Sequence, residues 1–213
     1  ILQQMLNNIR QTIIGRGNSV ASMMASSKFS TASSYDVMMS SGPVLYEIYN
    51  KMLKEFDYKG QNKVFLEISA PTTYAVWING QYVFNGQYGD YDFYKVYDKI
   101  EVTPFVKQGK NIIAILAYNQ GNDSFPYQYK TPAISFSIYA GDNSLAISDA
   151  NTLVRLSKTY KTGWTEVLAP PLGYNMNFDL TGQDDWKNGN GEDFVSATEV
   201  ETGFPLYVRP IAR

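Results

Sequence analysis

The spacing of hydrophobic and polar positions changes period along this chain. Over the first fourteen residues Ile1, Met5, Ile9 and Ile13 recur every four positions, with Leu2 and Leu6 beside them. That single apolar stripe predicts an amphipathic helix, ended by Gly15 and Gly17. From Asn18 to Gly42 Ser, Ala and Met dominate, and the stretch reads as irregular or partly helical. Residues 44–58 fit two templates. Leu45, Ile48, Tyr49, Met52, Leu53 and Phe56 keep helical spacing, while Met52, Lys54, Phe56 and Tyr58 alternate with Leu53, Glu55 and Asp57 as a strand would. Periodicity favours a helix over the first half of this stretch.

After Gly60 the pattern becomes that of strands. KVFLEIS (63–69) and TYAVWI (73–78) are separated by a turn at Pro71, and Asn79-Gly80 then leads into QYVF. Asn-Gly accepts the positive φ angles of a type I′ turn, so a hairpin is predicted here. Further strands are expected at 99–103, 111–118 (NIIAILAY) and 133–139 (AISFSIY), with weaker ones at 146–148, 154–157, 165–168, 176–180 and 205–208. Turns recur at Gly109-Lys110-Asn111, Gly121-Asn122-Asp123 and Gly141-Asp142-Asn143. Many short strands with polar turns and no alternating βα units predict an all-β sandwich. Residues 1–43 form the helical or irregular leading segment, and 44–213 the sandwich.

Composition narrows the chemistry. The 213 residues hold no His and no Cys. Ser-His-Asp and Cys-His hydrolysis, His general bases, His-based metal sites and disulfides are therefore all excluded. A net charge of −2 and no Lys/Arg stripe argue against nucleic acid. No apolar run is long enough to cross a bilayer, and Arg10 alone gives the leading helix no basic face for a membrane surface. The 17 tyrosines suit half-buried strand faces and equally suit sugar surfaces. The opening residues do not read as a secretory signal, because Gln3, Gln4, Asn7, Asn8 and Arg10 interrupt every apolar stretch.

The segment TYAVWINGQYVFNG resembles the aromatic-x-hydrophobic-x-Asn-Gly hairpin in the amino-terminal module of family 78 glycoside hydrolases, the α-L-rhamnosidase-like enzymes. IEVTPFVKQGKNIIAI (100–115) is similar to that family's Thr-Pro segment, which passes through a Gly-x-Asn turn into an apolar strand. AYNQGNDSFPYQYKTPAISFSIYAGD (117–142) resembles its aromatic loop and the strand after it. Ile147-Ser148-Asp149, Trp186, Phe194, Ala197 and the closing PLYVRPIAR continue the likeness, which spans about 51–213 and favours a strand from about Lys51. The resemblance implies a jelly-roll-like, galactose-binding-domain-like sandwich that is not itself catalytic. In the family an (α/α) barrel further along the chain performs the hydrolysis. It also implies carbohydrate as ligand, with rhamnose-containing saccharides as candidates, an adjacent catalytic domain as partner, and a bacterial protein that is secreted, periplasmic or at the cell surface. A stand-alone carbohydrate-binding module and a cell-surface interaction domain with no sugar ligand are the rival readings.

Two loops carry what sugar recognition needs: aromatic faces for the C–H side of a pyranose, and carboxylates and amides for its hydroxyls. Residues 87–97 offer Tyr88, Tyr91 and Tyr94, and residues 119–129 offer Asn119, Asn122, Asp123, Tyr127 and Tyr129. These eight are the candidate sugar-binding residues. No cofactor is expected; calcium is the one considered, since Asn122-Asp123 with backbone carbonyls supplies part of an oxygen cage. Glycoside hydrolysis needs paired carboxylates. Asp90, Asp92, Asp98, Glu101, Asp123, Asp184, Asp185, Glu192 and Asp193 all read as solvated residues of turns or strand ends. The run Asp184–Asn190 reads as a plain surface turn, Asn79 as serving its turn alone, and Trp77 and Trp164 as core.

Overall fold

A computed structural model describes residues 21–22, 48–60, 62–70, 72–86, 95–121, 133–161, 167–169, 173–199 and 206–210. The helix expected over residues 1–14, and Trp164, lie outside the described residues. The described residues include fourteen strands: β1 (Ala21–Ser22), β2 (Ile48–Tyr58), β3 (Val64–Ser69), β4 (Tyr74–Ile78), β5 (Gln81–Gly86), β6 (Lys95–Glu101), β7 (Gly109–Asn119), β8 (Ala133–Ala140), β9 (Asn143–Ile147), β10 (Leu153–Leu156), β11 (Val167–Ala169), β12 (Gly173–Tyr174), β13 (Val195–Ser196) and β14 (Leu206–Val208). One six-stranded sheet runs β1-β8-β3-β6-β14, with β9 also paired to β8. The second runs β13-β10-β2-β7-β4-β5, and β11 pairs with β12 separately.

The two large sheets form a sandwich because alternate residues of each turn inward. From the first sheet come Val64, Leu66, Ile68, Ile134, Phe136 and Ile138, and from the second Met52, Phe56, Val76, Ile78, Ile113 and Ile115; all lie in one buried cluster. The alternation legible in KVFLEIS, TYAVWI and NIIAILAY is this inward set.

Several expectations change. Residues 48–58 are strand throughout, paired with all of β7, so the helical spacing over the first half of 44–58 does not produce a helix where the chain is described. The physical cause is that both faces of β2 are covered. Met52 and Phe56 enter the main core, while Leu53 packs outward with Ala114 and Trp186 in a second cluster. Residues 176–180 do not make a strand: Phe178 forms a lone bridge with Tyr160, and Leu180 opens a 3-10 turn. Within the segment read as irregular or partly helical, Ala21–Ser22 pairs with β8.

The Asn79-Gly80 hairpin forms as expected, with φ of 51° and 78° at those residues. Asn79, however, serves more than its turn. Its Nδ2 donates to the Phe105 carbonyl at 3.0 Å and to Asn111 Oδ1 at 2.8 Å, and its Oδ1 accepts from the Ile112 amide at 3.2 Å. Buried Asn111 also accepts from the Lys107 amide and donates to the Lys107 and Gly109 carbonyls. The Asn-Gly and Gly-x-Asn motifs, 32 residues apart, thus interlock through their side-chain amides. They join the β4–β5 turn to the connection entering β7.

Candidate functional site

The outward face of the second sheet carries polar residues that the chain then buries. On this face Lys51 of β2 lies opposite Arg155 of β10 on one side and Leu116 of β7 on the other. Residues 178–194 fold back across it, with a 3-10 turn at Trp186–Asn188 whose Trp186 is buried. Lys51 and Arg155 keep only 2% and 4% of their surface. Burying two adjacent cations is costly unless they are paired. Asp184 supplies the pairing: its Oδ1 accepts from Lys51 Nζ at 2.8 Å, and its Oδ2 meets Arg155 Nη2. Arg155 Nη1 also donates to the Glu192 carbonyl, and its guanidinium lies over the Phe194 ring, 4.6 Å from the centroid.

Aromatic rings flank this charged floor. Trp77, on the outward side of β4, meets Trp186 edge-on at 5.7 Å and Tyr82 at 5.9 Å. Lys187 Nζ stands 4.4 Å from the Trp77 ring centroid, and Lys51 Nζ 5.2 Å from that of Trp186. Tyr160 packs edge-on against Phe178 and stacks on Tyr49. Between the two groups lies an open cleft of about 320 Å³, whose lining includes Lys51, Trp77, Tyr160, Phe178, Asp184 and Lys187. That volume lies at the small end of ligand sites.

Electrostatics mark Lys51. Its ammonium is held down to about 8 from the usual 10.5, first by burial and then by the like charges of Arg155, Lys187 and Lys158. Neighbouring charges are otherwise matched, Lys158 with Asp193 and Lys161 with Asp179. Asp185 accepts from the Asn188 and Asn190 amides at 2.6 and 2.8 Å. The run Asp184–Asn190 is therefore no plain surface turn but the cap of the sheet's outer face. Its carboxylate oxygens are committed to N–H donors.

Of the eight residues proposed for sugar contact, Asn119 is the one that is described. It is fully buried at the end of β7, and its Oδ1 accepts from the Gly121 amide at 2.9 Å, an Asx-type turn. Tyr88, Tyr91, Tyr94, Asn122, Asp123, Tyr127 and Tyr129 lie outside the described residues, and with Asn122-Asp123 the calcium expectation. Among the acidic residues read as solvated, Asp98 differs. It sits within β6, buried, accepting from the Tyr74 hydroxyl and pairing with Arg209. Sequence reasoning missed the cleft because its members are scattered from β2 to residue 187. The available signal was a Lys and an Arg placed amid apolar strand residues, with an acidic, Trp-bearing run further along.

No protein-family model matches the chain. No characterised protein matches it by sequence. By fold, it is similar to one segment of the family 78 rhamnosidase of Bacillus sp. GL1, with a TM-score of 0.63 and 19% identity over 75% of this chain and 18% of that one. The Aspergillus terreus α-L-rhamnosidase gives a TM-score of 0.58 and 16% identity, over 79% of this chain and 23% of that one. The Streptomyces avermitilis α-L-rhamnosidase, solved with L-rhamnose, gives 0.57 and 17%, over 75% and 16%. The likeness to family 78 enzymes read from the motifs is thus present in the fold. The chain spans about a fifth of the length of these enzymes.

Proposed function

We propose that this chain is a non-catalytic, carbohydrate-associated domain of an α-L-rhamnosidase-like glycoside hydrolase, supporting a catalytic domain and contacting saccharide through the outer-face cleft. The observation that carries the reading is the fold shared with one segment of the Bacillus rhamnosidase over three quarters of this chain. The cleft supports it with the ingredients of sugar recognition: Trp77, seated against the buried Trp186, as apolar surface, with Gln183 and Lys187 as polar partners. An accessory role fits the chemistry, since His and Cys are absent and the best-placed cleft carboxylate, Asp184, is already shared by Lys51 and Arg155.

The test is calorimetric titration of the purified chain with L-rhamnose and rhamnose-terminated oligosaccharides, alongside an aryl-rhamnoside hydrolysis assay. Saturable binding at up to millimolar sugar without turnover is the expected result. No binding to any of these saccharides removes the carbohydrate reading. Turnover that is lost on substituting an Asp or Glu of this chain removes the non-catalytic one.

A further inference from the structure

We propose that the cleft on the outer face of the second sheet is a binding site for a carboxylate-bearing pyranose, a hexuronate residue of a polysaccharide. This rests on the carbohydrate reading above and adds the charge class of the ligand.

The inference comes from a charge surplus beside an aromatic surface. Five charged groups stand at or just behind the cleft floor. Lys51 of β2, Arg155 of β10 and Lys187 of the cap are three cations; Asp184 and Asp185 of the cap are two carboxylates. Lys158 and Lys161 stand nearby with their own partners, Asp193 and Asp179. Among these five one positive charge is left without a counter-charge, between the buried ammonium of Lys51 and the half-buried Lys187 at the rim. A buried ammonium offers three N–H donors, and among the described residues Lys51 Nζ gives one hydrogen bond, to Asp184. An incoming carboxylate completes the balance, three against three. In a pyranuronate the carboxylate projects from the ring edge. A ring held in the cleft beside Trp77 can present that carboxylate to Lys51 on the floor or to Lys187, whose Nζ stands over the Trp77 ring at the rim. A neutral hexose of the same shape fills the same aromatic surface but leaves the surplus uncompensated. Asp185 does not oppose the anion with free oxygens, because both accept from asparagine amides.

The test is calorimetric titration of the purified chain with methyl galacturonoside against methyl galactoside, and methyl glucuronoside against methyl glucoside, with L-rhamnose in parallel. At least one uronate is expected to bind about tenfold tighter than its neutral counterpart, the scale of one charge-assisted hydrogen bond. The preference is expected to shrink with added salt. Lys51→Met removes the surplus and is expected to abolish the preference, read as the ratio of uronate to neutral-sugar affinity. Lys187→Gln, at the rim and outside the sheet, is expected to reduce it and covers the case in which the buried variant does not fold. If neutral sugars or L-rhamnose bind and no uronate is preferred, the acidic-ligand inference falls while the carbohydrate reading stands. If no saccharide binds at all, both fall. A uronate preference that both variants leave intact also overturns the assignment to this cleft.

Discussion

Removing the Asp184 carboxylate tests the arrangement of the outer face most sharply. Asp184 is shared by Lys51 and Arg155, whose side chains are 2% and 5% exposed, while its own is 26% exposed. Breaking a buried ion pair by deleting one partner costs about 3–5 kcal/mol, because the charge left behind is uncompensated. In Asp184→Ala two cations lose their partner together. Partial access of water to this carboxylate places the expected loss near the lower end, about 3 kcal/mol. Lys51→Met should behave in the opposite way. It leaves Arg155 and Asp184 as a balanced pair and removes an ammonium that the fold keeps charged only at a cost, so stability should stay unchanged or rise by about 1 kcal/mol. Urea denaturation followed by tryptophan fluorescence measures both. With a urea slope of about 2–3 kcal/mol per molar, Asp184→Ala lowers the midpoint by roughly 1–1.5 M. A loss below about 1 kcal/mol for Asp184→Ala would refute the reasoning. So would a Lys51→Met loss as large as that of Asp184→Ala, because Lys51 would then be a stabilising partner rather than a surplus charge.

Three further outcomes follow from the geometry. Asn111→Ala removes the hydrogen bonds that lock the turn entering β7 and should cost about 3 kcal/mol, against about 2 for Asn79→Ala. The double variant should lose about 1 kcal/mol less than the sum, which denaturation of all four proteins checks; strict additivity would mean the amides do not couple. In Gly86→Ala the added methyl meets the Tyr74 ring, whose hydroxyl donates to Asp98, so a loss of about 1–3 kcal/mol is expected as a lowered melting temperature. An unchanged melt would contradict that close approach. Uronate affinity should fall as pH rises through about 8, because Lys51 then loses its proton in the folded chain; neutral-sugar affinity should stay flat. The sign for stability is the reverse. The unfolded chain keeps that proton to about 10.5, so the burial penalty on Lys51 is full below pH 8 and is relieved as pH climbs between the two values. Acid–base titration of binding and of unfolding separates the two trends.

Much of the sandwich was legible because one-sided burial writes itself as alternation. Val64, Leu66 and Ile68, or Val76 and Ile78, face the core while the residues between them face outward, and the Asn-Gly turn fixes the register of β4 with β5. β2 was ambiguous for the opposite reason: its second face is covered by residues 178–194, so Tyr49 and Leu53 are as apolar as Met52 and Phe56. The interlock of Asn79 with Asn111 was visible as two separate turn motifs, but nothing in their local chemistry says that they meet. The cleft was harder still. Lys51 and Arg155 stand on the outward side of their strands, and nothing in the sequence around them says that residues 178–194 fold over them. Trp77 read as core because its strand is buried on one side, and it stands on the other. The tyrosine-rich loops drew attention by composition, yet Asn119, the described member of that set, is held by its own turn.

The most direct test of sugar contact at the outer-face cleft is a proton–nitrogen correlation spectrum recorded while an oligosaccharide carrying both L-rhamnose and a uronate is added. The chain has three tryptophans, Trp77, Trp164 and Trp186, so three indole N–H signals can be followed, and those of Trp77 and Trp186 belong to the cleft lining. Saturable shifts of the Trp77 and Trp186 signals, diminished in Lys187→Gln, are the predicted result. Saturable shifts confined to Trp164, or three signals that stay in place at millimolar saccharide, would contradict it.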